Sequence, residues 1–442
     1  MRIFTSFRIG SGDGFRKKLL EWCRRFNEIC ILESNGYVNR FQSEHSHYSY
    51  DYIAAAGSVK RFSPPEGNVL EAIDEFAGNA GDWLFGHLSY DLKNETEKLF
   101  SRHHDRIGFP SATFFVPEYI FIIEGNNLEV GWLEEVSNAE EVGELVNMIE
   151  SSALPETSPG DPGFVKEAFR KDKYLEAVHS ILSHIRRGDI YEVNFCQEFY
   201  SDNASIDPAV TWIKLLEESP TPFSCYYKLD DKYLMCASPE RFLKKTGREI
   251  VSQPIKGTAP RGQDPEEDNL LMEALEADPK ERSENIMITD LVRNDLSVIA
   301  DRGTVQVDEL CSVYPFPGVF QMQSTISARL APSTCLSAVI KALFPMGSMT
   351  GAPKIRSMEI IEQYERSKRG LYSGAVGYIT PGMDFDFNVV IRSIQYNIKK
   401  SALSFMVGGA ITCLSDPEKE FNECKLKAGA IMRVLGLENN AV

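Results

Sequence analysis

The sequence lacks an excess of positive charge. Its 442 residues include 47 Lys and Arg against 64 Asp and Glu, which gives a formal net charge of −17 at pH 7. Such a chain has no overall positive field to attract a phosphate backbone or an anionic bilayer, so we expect neither nucleic acid nor a membrane as a partner. An anionic substrate would need a locally basic pocket or a divalent cation.

Long apolar runs and paired cysteines are also missing. Residues 1–14 contain Arg2 and Arg8 but no apolar run of signal-peptide length, and no other run is long enough to span a bilayer. We therefore expect a cytoplasmic protein. The 9 cysteines are scattered, odd in number and never spaced as C-x-x-C, which argues against a disulfide framework or a zinc site. We expect most of them to be buried as small apolar side chains.

Nucleotide-binding loops are absent as well. The spacing G-x-x-x-x-G-K-[ST] does not occur, and no G-x-G-x-x-G follows a predicted strand. The small-residue segment at 347–353 instead leads into a helical pattern. Backbone N–H groups at such a position favour a carboxylate or a phosphate, although Pro353 removes one donor.

The composition and the order of elements predict the fold class. Hydrophobic residues make up 43% of the chain and charged residues 25%, as in a globular protein of two domains or one large one. A Pro- and Gly-rich stretch predicts a linker at 151–164, between an N-terminal region, 1–150, and a C-terminal domain, 165–442. Predicted strands at 371–379 and 385–398 flank a Pro-Gly turn. Strands joined by short turns, with helices packed on them, predict an α+β fold with mostly antiparallel sheets.

A single lysine, Lys256, stands between two prolines and ahead of a Gly-Thr pair in residues 254–262. Pro and Gly disfavour a helix or a central strand, so we predict a loop that holds this lysine in a fixed pose. Burial or a neighbouring cation would lower the pKa of the lysine toward working pH and make it a nucleophile. A solvated lysine in a turn is the alternative.

Two predicted helices begin with Asp-Pro and carry carboxylates in their first two turns. In the first, Glu281 and Glu284 share a face; in the second, Glu420, Glu423 and Lys427 do. One interpretation is a Mg²⁺ site that keeps waters and binds an anionic substrate directly. The other is a set of glutamates that complement the helix dipoles, with a Glu423–Lys427 ion pair at the surface.

Two further charged residues have two interpretations each. Arg392 sits in an apolar segment predicted as a strand, where its guanidinium could bind a ligand carboxylate or form an internal salt bridge. Glu240 follows a predicted hairpin and could be a solvated turn residue. A position close to Lys256 would make it an acid beside an amine, as covalent amine chemistry requires.

Six ordered segments resemble the motifs of the chorismate-utilising enzymes, which include anthranilate synthase component I, isochorismate and salicylate synthases and aminodeoxychorismate synthase component I. They are Gly-Asp-Ile-Tyr-Glu-Val-Asn at 188–194, Ser-Pro-Glu-Arg-Phe at 238–242, Pro-Ile-Lys-Gly-Thr at 254–258, the acidic segment at 278–295, the loop at 347–354 and Arg-Gly-Leu-Tyr-Ser-Gly-Ala-Val-Gly-Tyr at 369–378. The resemblance covers residues 165–435, and the N-terminal part resembles the family's accessory region. It implies the anthranilate synthase component I fold, with large sheets in a central sandwich and helices outside.

Lys256 stands where anthranilate and salicylate synthases usually carry Ala, and a lysine there is typical of the aminodeoxychorismate synthase branch. The resemblance implies that Lys256 attacks C2 of chorismate while Glu240 protonates the departing C4 hydroxyl. Ammonia then adds at C4 and displaces the lysine. The resemblance also implies Mg²⁺ on Glu284 and Glu423. The substrate-binding residues that it implies are Thr350, Gly351, Tyr372, Arg392, Gly408, Lys427 and Gln321.

Departures from the family pattern disfavour some of the activities found in the family. Gln321 replaces the family's usual His and cannot move protons near pH 7, which disfavours anthranilate formation. Glu192 stands where water-adding relatives carry a lysine base, which disfavours isochorismate and salicylate synthesis. No cysteine lies in a G-x-C-x-G turn, so a separate glutamine amidotransferase subunit is implied as the ammonia source. Anthranilate synthase component I, a non-catalytic glutaminase-binding subunit and a pyridoxal phosphate enzyme remain as alternatives.

Overall fold

The computed structural model describes residues 1–37, 47, 49–154 and 158–437. The strands, in chain order, are β1 Arg2–Arg8, β2 Glu28–Glu33, β3 Tyr52–Ala56, β4 Lys60–Phe62, β5 Leu84–Leu88, β6 Ala112–Val116, β7 Tyr119–Glu124, β8 Asn127–Leu133, β9 Gly160–Asp161, β10 Lys166–Glu167, β11 Glu192–Ser201, β12 Ser205–Ile206, β13 Phe223–Leu229, β14 Lys232–Ser238, β15 Arg241–Thr246, β16 Glu249–Gln253, β17 Ile255–Pro260, β18 Gln306–Phe316, β19 Val319–Arg329, β20 Gly351–Ala352, β21 Ala375–Ile379, β22 Phe385–Asn388, β23 Ser393–Asn397 and β24 Ala402–Ile411. The helices are α1 Gly12–Cys23, α2 Val69–Ala80, α3 Lys93–Thr96, α4 Ala139–Ser151, α5 Lys171–Arg186, α6 Pro208–Glu218, α7 Pro265–Ala277, α8 Pro279–Ser297, α9 Leu336–Leu343, α10 Lys354–Tyr364 and α11 Pro417–Val434.

Two antiparallel sheets form a central sandwich. The larger has the order β1-β8-β7-β3-β2-β13-β14-β23-β24-β11-β10, with β20 also paired to β11. The smaller has the order β17-β19-β16-β15-β22-β21-β5-β6-β4, with β18 also paired to β19. Side chains of both sheets share one apolar core, and helices cover the outer face of each sheet. The predicted α+β sandwich is confirmed.

Inner strands of the larger sheet are apolar on both faces because each face is covered. In β7, Ile120 and Ile122 point into the core between the sheets, whereas Phe121 and Ile123 point toward the helices. Both sheets take strands from either side of residues 151–164. The division into an accessory region and a catalytic domain stays a prediction, and residues 155–157 of the linker lie outside the described ranges.

Two strand predictions are wrong in their bounds. Residues 371–374 form a turn, and β21 begins only at Ala375. The strand predicted at 385–398 is divided into β22, in the smaller sheet, and β23, in the larger. The apolar pattern runs on without interruption because the connection between the sheets is itself buried, so periodicity could not reveal the break.

No described helix is both long enough and apolar enough to cross a bilayer. Of the cysteines, all but Cys335 and Cys413 are buried, and each is a free thiol. The prediction of buried apolar cysteines is confirmed for the other seven.

Candidate active site

Lys256 lies at a β-bulge on the edge of the smaller sheet. The pairing of β17 with β19 shifts register between Ile255 and Thr258. Gly257, inside the bulge, has a φ of +100°, a conformation that favours glycine. Residues 254–262, predicted as a loop, therefore contain an edge strand, and its bulge redirects the lysine side chain.

Carboxylates surround the buried amine of Lys256. Its Nζ lies 3.0 Å from Oε1 of Glu192, whose side chain is 1% exposed. Burial lowers the pKa of Lys256, but Glu192, Glu284 and Glu240 together raise it above the ordinary value. The lowered pKa expected from burial is therefore wrong, and the free protein holds Lys256 as an ammonium. A proton must leave before this amine can attack, and the carboxylate in contact with it is that of Glu192.

Glu240 lies between β14 and β15 and is buried rather than solvated. Ser348 Oγ donates a hydrogen bond of 2.5 Å to Glu240 Oε1, and Glu240 is 3% exposed. Burial raises the pKa of Glu240 to about 7, although Ser348 and Lys256 oppose the increase. A carboxylic acid that keeps its proton near neutral pH can serve as a general acid. Of the two interpretations, the structure supports the acid beside the amine.

The two Asp-Pro helices, α8 and α11, bring their acidic ends together. Each starts with an aspartate that caps backbone N–H groups of its own first turn. Lys280 of α8 lies 3.8 Å from Oε1 of Glu284 and 3.8 Å from Oε1 of Glu420 on α11. Glu281 and Glu423 contribute to the same negative field. The predicted metal ligands are thus part of a group of four glutamates.

The chemistry of these side chains fits a divalent cation. Glu284 is 6% exposed, and its Oε1 makes no hydrogen bond to any described residue. Burial raises the pKa of Glu284 to about 7, and a bound cation would favour the ionised form. Burial also raises the pKa of Glu423, but Lys427, 2.6 Å from its Oε1, together with Lys280 and Lys256 lowers it more, so the net shift is downward.

No three His, Cys, Asp or Glu side chains in the described ranges already share one ion site. Mg²⁺ commonly takes only one or two protein carboxylates and completes its shell with waters and substrate oxygens. Glu284 and Glu423 are therefore sufficient in number and kind to hold it.

Thr350 and Gly351 lie where β20 meets β11. The carbonyl of Thr350 accepts a 2.9 Å hydrogen bond from the N–H of Asn194. A Cβ on Gly351 would lie 2.2 Å from the carbonyl oxygen of Glu192, so only glycine permits this close approach. The N–H of Thr350 donates to the carbonyl of Gly347 within the turn, so it is not one of the free N–H groups expected in the segment at 347–353.

Tyr372 and Gly408 lie beside Cys196 of β11, and Lys427 contacts Gly408. The hydroxyl of Tyr372 lies 3.8 Å from Cys196 Sγ, and a Cβ on Gly408 would lie 2.5 Å from the same sulfur. Lys427 Nζ donates a 3.0 Å hydrogen bond to the carbonyl of Gly408. The structure thus brings these three predicted substrate-binding residues together.

Arg392 does not sit in a strand, which corrects the prediction. It lies in the connection between β22 and β23 with a φ of +48°. Burial lowers the pKa of Arg392, and no described residue forms an ion pair with it, so the internal salt bridge is not found there. The N–H of Ser373 donates to the carbonyl of Val390, so Tyr372 and Arg392 occupy neighbouring segments.

Gln321 lies on β19 opposite Thr258, next to the bulge that carries Lys256. Its Oε1 is buried and accepts no hydrogen bond from the described residues. A buried acceptor of this kind can receive a hydroxyl group of a ligand.

A family model described as chorismate binding enzyme matches residues 34–433. The chain belongs to the chorismate-binding enzymes. The family membership predicted from the six segments is confirmed.

Three named proteins are similar to this chorismate-binding enzyme in sequence. Aminodeoxychorismate synthase component 1 of Bacillus subtilis is 32% identical over 387 residues, which cover 85% of this chain and 81% of that protein. Anthranilate synthase component 1 of Thermus thermophilus is 34% identical over 359 residues, covering 80% and 77%. A probable chloroplastic aminodeoxychorismate synthase of Oryza sativa subsp. japonica is 35% identical over 390 residues, covering 79% of this chain. This chain spans only 43% of that relative's length.

Solved structures have the same fold. Anthranilate synthase component I from Streptococcus pneumoniae TIGR4 matches with a TM-score of 0.76 and 25% identity, over 90% of this chain and 96% of that one. The menaquinone-specific isochorismate synthase MenF from Escherichia coli, at 17% identity, matches with a TM-score of 0.77 over 98% and 94%. The predicted fold family is confirmed.

The sequence motifs predicted no role for Arg369. Its guanidinium donates to the carbonyls of Met349, at 2.7 Å, and Asn194, at 2.8 Å, and makes two hydrogen bonds to Glu365. Glu365 also accepts from the N–H of Cys196. The side chains of Arg369 and Glu365 are 1% and 2% exposed. This buried pair ties the segment at 347–353 to β11. Its only sequence signal is two opposite charges four residues apart.

Proposed function

We propose that this chain is an aminodeoxychorismate synthase component I, which converts chorismate and ammonia to 4-amino-4-deoxychorismate through a covalent bond to Lys256. The observation that carries the proposal is the buried Lys256 amine, 3.0 Å from Glu192 and within the field of Glu240. The names of the Bacillus subtilis and rice relatives support it. Anthranilate formation needs a group that removes a ring proton, and Gln321 cannot do so.

The proposed reaction has two displacements. Glu192 takes a proton from the Lys256 ammonium, and the free amine attacks C2 of chorismate. The ring double bonds shift, and the C4 hydroxyl leaves as water with a proton from Glu240. Ammonia then attacks C4, the double bonds shift back, and the lysine nitrogen leaves C2 with its bonding electrons. The enolpyruvyl ether stays intact throughout.

Other groups position the substrate and supply the ammonia. Mg²⁺, which Glu284 and Glu423 would hold, neutralises a substrate carboxylate when bound. Arg392, which has no ion-pair partner in the described part of the chain, would receive a second carboxylate together with Tyr372. Because the sequence has no G-x-C-x-G nucleophile turn, we further propose a glutamine amidotransferase subunit as partner.

Product analysis tests the assignment. Purified protein is incubated with chorismate, Mg²⁺ and an ammonium salt, and the products are identified by liquid chromatography and mass spectrometry. We expect 4-amino-4-deoxychorismate, and, when ammonia is withheld, a mass adduct on the peptide that contains Lys256. Fluorescent anthranilate formed without an added lyase would favour the second candidate, anthranilate synthase component I, which the Thermus thermophilus relative also suggests. No turnover would favour a non-catalytic subunit.

The acid role of Glu240 predicts a pH dependence. We expect Glu240→Gln to lower kcat about 10²-fold, the usual contribution of a positioned general acid. The pKa of Glu240 is raised to about 7, so wild-type activity should fall as pH rises through 7 and this group loses its proton. The variant should lack this fall. Glu249→Gln, on exposed β16 surface, is the control and should behave as wild type.

The same group predicts how stability varies with pH. Its folded pKa lies above its ordinary value of 4.5, so the stability that neutral Glu240 contributes is complete below about 4.5 and is lost as pH rises through 7. Between about pH 4.5 and pH 7, the free energy of unfolding of the wild type should fall relative to that of Glu240→Gln, as measured by denaturant unfolding. Parallel stability curves for the two proteins would contradict the buried, neutral acid.

A further inference from the structure

Lys280 occupies the gap between the two acidic helix ends. Its Nζ is 3.8 Å from a carboxylate oxygen of Glu284 on its own helix and 3.8 Å from one of Glu420 on α11. The negative charges of Glu281 and Glu423 also stabilise this ammonium and raise the pKa of Lys280. Lys280 therefore balances carboxylates of both helices at the place where the divalent cation is proposed, together with Lys427, whose Nζ lies 2.6 Å from Oε1 of Glu423.

The helix itself gives no reason for a lysine at this position. Lys280 is in the first turn of α8, where the positive end of the helix dipole disfavours a cation. Asp278 already caps the backbone N–H groups of Lys280 and Glu281. The ammonium is stabilised instead by its contacts with Glu284 and Glu420, whose side chains are 8% and 4% exposed.

The lysine can leave this gap, whereas the buried side chains of Glu284 and Glu420 cannot. The Lys280 side chain is 36% exposed and has a flexible four-carbon stem, so its ammonium can turn into solvent. A divalent cation on Glu284 would meet a second positive charge a few ångströms away, and the repulsion would drive that turn.

We propose that Lys280 is a resident counter-ion, which neutralises the acidic helix ends in the metal-free protein and is displaced when Mg²⁺ binds. Its ammonium thus competes with the metal and weakens metal binding in the absence of substrate. The proposal rests on the Mg²⁺ site of the proposed function.

Metal titrations without chorismate test this competition. Binding of Mg²⁺ is measured by calorimetry, and binding of Mn²⁺ by electron paramagnetic resonance, in wild type and in Lys280→Met, which keeps the stem and removes the charge. We expect Lys280→Met to bind both metals about tenfold more tightly. The matched control is Lys419→Met, which removes an exposed lysine of α11, and it should change the Kd less than twofold.

Thermal unfolding provides a second readout. Without the ammonium the metal-free glutamates repel one another, so Lys280→Met should melt at a lower temperature than wild type without metal. Added Mg²⁺ should raise its midpoint by more than that of wild type. If Lys280→Met binds metal no more tightly than wild type, or if neither protein binds it measurably, the resident counter-ion proposal is overturned.

Glu284→Gln separates this failure from failure of the metal site. If Glu284→Gln loses metal binding while Lys280→Met behaves as wild type, only the role of Lys280 is overturned. If Glu284→Gln binds Mg²⁺ as wild type does, the metal site and the counter-ion role are both overturned. The amination activity is judged independently, by the product analysis and the Lys256 adduct.

Discussion

Replacing Lys256 with alanine is expected to abolish measurable amination of chorismate, with a loss of about 10³-fold or more in kcat. The reason is that the proposed covalent bond to C2 of chorismate forms on the Lys256 amine, which alanine lacks. The measurement is the initial rate of 4-amino-4-deoxychorismate formation with ammonium as the nitrogen source. The chorismate adduct should vanish from the same peptide in the mass spectrum.

The variant also removes a buried positive charge, so its stability must be followed separately. Without Lys256, Glu192 loses its ion-pair partner, and the pKa values of Glu240 and Glu284 should rise further. The double variant Lys256→Met/Glu192→Gln removes one charge of each sign. We expect it to regain stability but no activity. Near-normal amination by Lys256→Ala would rule out the covalent route.

Arg369→Met is expected to have the largest effect on stability. The change leaves Glu365 buried without its ion-pair partner and removes the donors to the carbonyls of Met349 and Asn194. Breaking a buried pair by removing one partner costs roughly 3–5 kcal/mol, and the unpaired carbonyls add to this. The measurement is the free energy of unfolding, or the midpoint where unfolding is not two-state.

An exposed ion pair serves as the control. Arg293→Met breaks a pair with Asp290 in which the side chains are 51% and 63% exposed, and it should cost about 1 kcal/mol or less. The double variant Glu365→Gln/Arg369→Met should recover only part of the loss, because the backbone carbonyls stay unpaired. A loss for Arg369→Met as small as that of Arg293→Met would show that the pair is not structurally important.

The sequence was most informative where the chemistry depends on local order. The Asp-Pro starts of α8 and α11 predicted capped helices whose first two turns present Glu284 and Glu423, and the structure has these helices at those positions. Capping and the spacing of three or four residues are short-range effects, so they can be predicted from neighbouring residues. Each of the six ordered segments is likewise a continuous stretch of sequence, so the family could be recognised without the fold.

The sequence was least informative where two sheets meet. Residues 385–398 have one apolar pattern, yet they pass from the smaller sheet to the larger, and Arg392 lies in the bend with a positive φ. Val389 and Val390, inside that crossing, are fully buried, so the apolar pattern continues into it and does not mark the end of β22.

The sequence by itself determined which side chains are available: one lysine in a Pro- and Gly-flanked segment, two pairs of glutamates at helix starts and an arginine in an apolar stretch. Only the tertiary structure decided their charge states. Lys256 is on the smaller sheet and Glu192 on the larger, and their 3.0 Å contact keeps the amine protonated in spite of burial. Burial from both sheets likewise raises the pKa of Glu240 to about 7. A pKa depends on distances to charges and to water, and these distances exist only once distant parts of the chain have packed together.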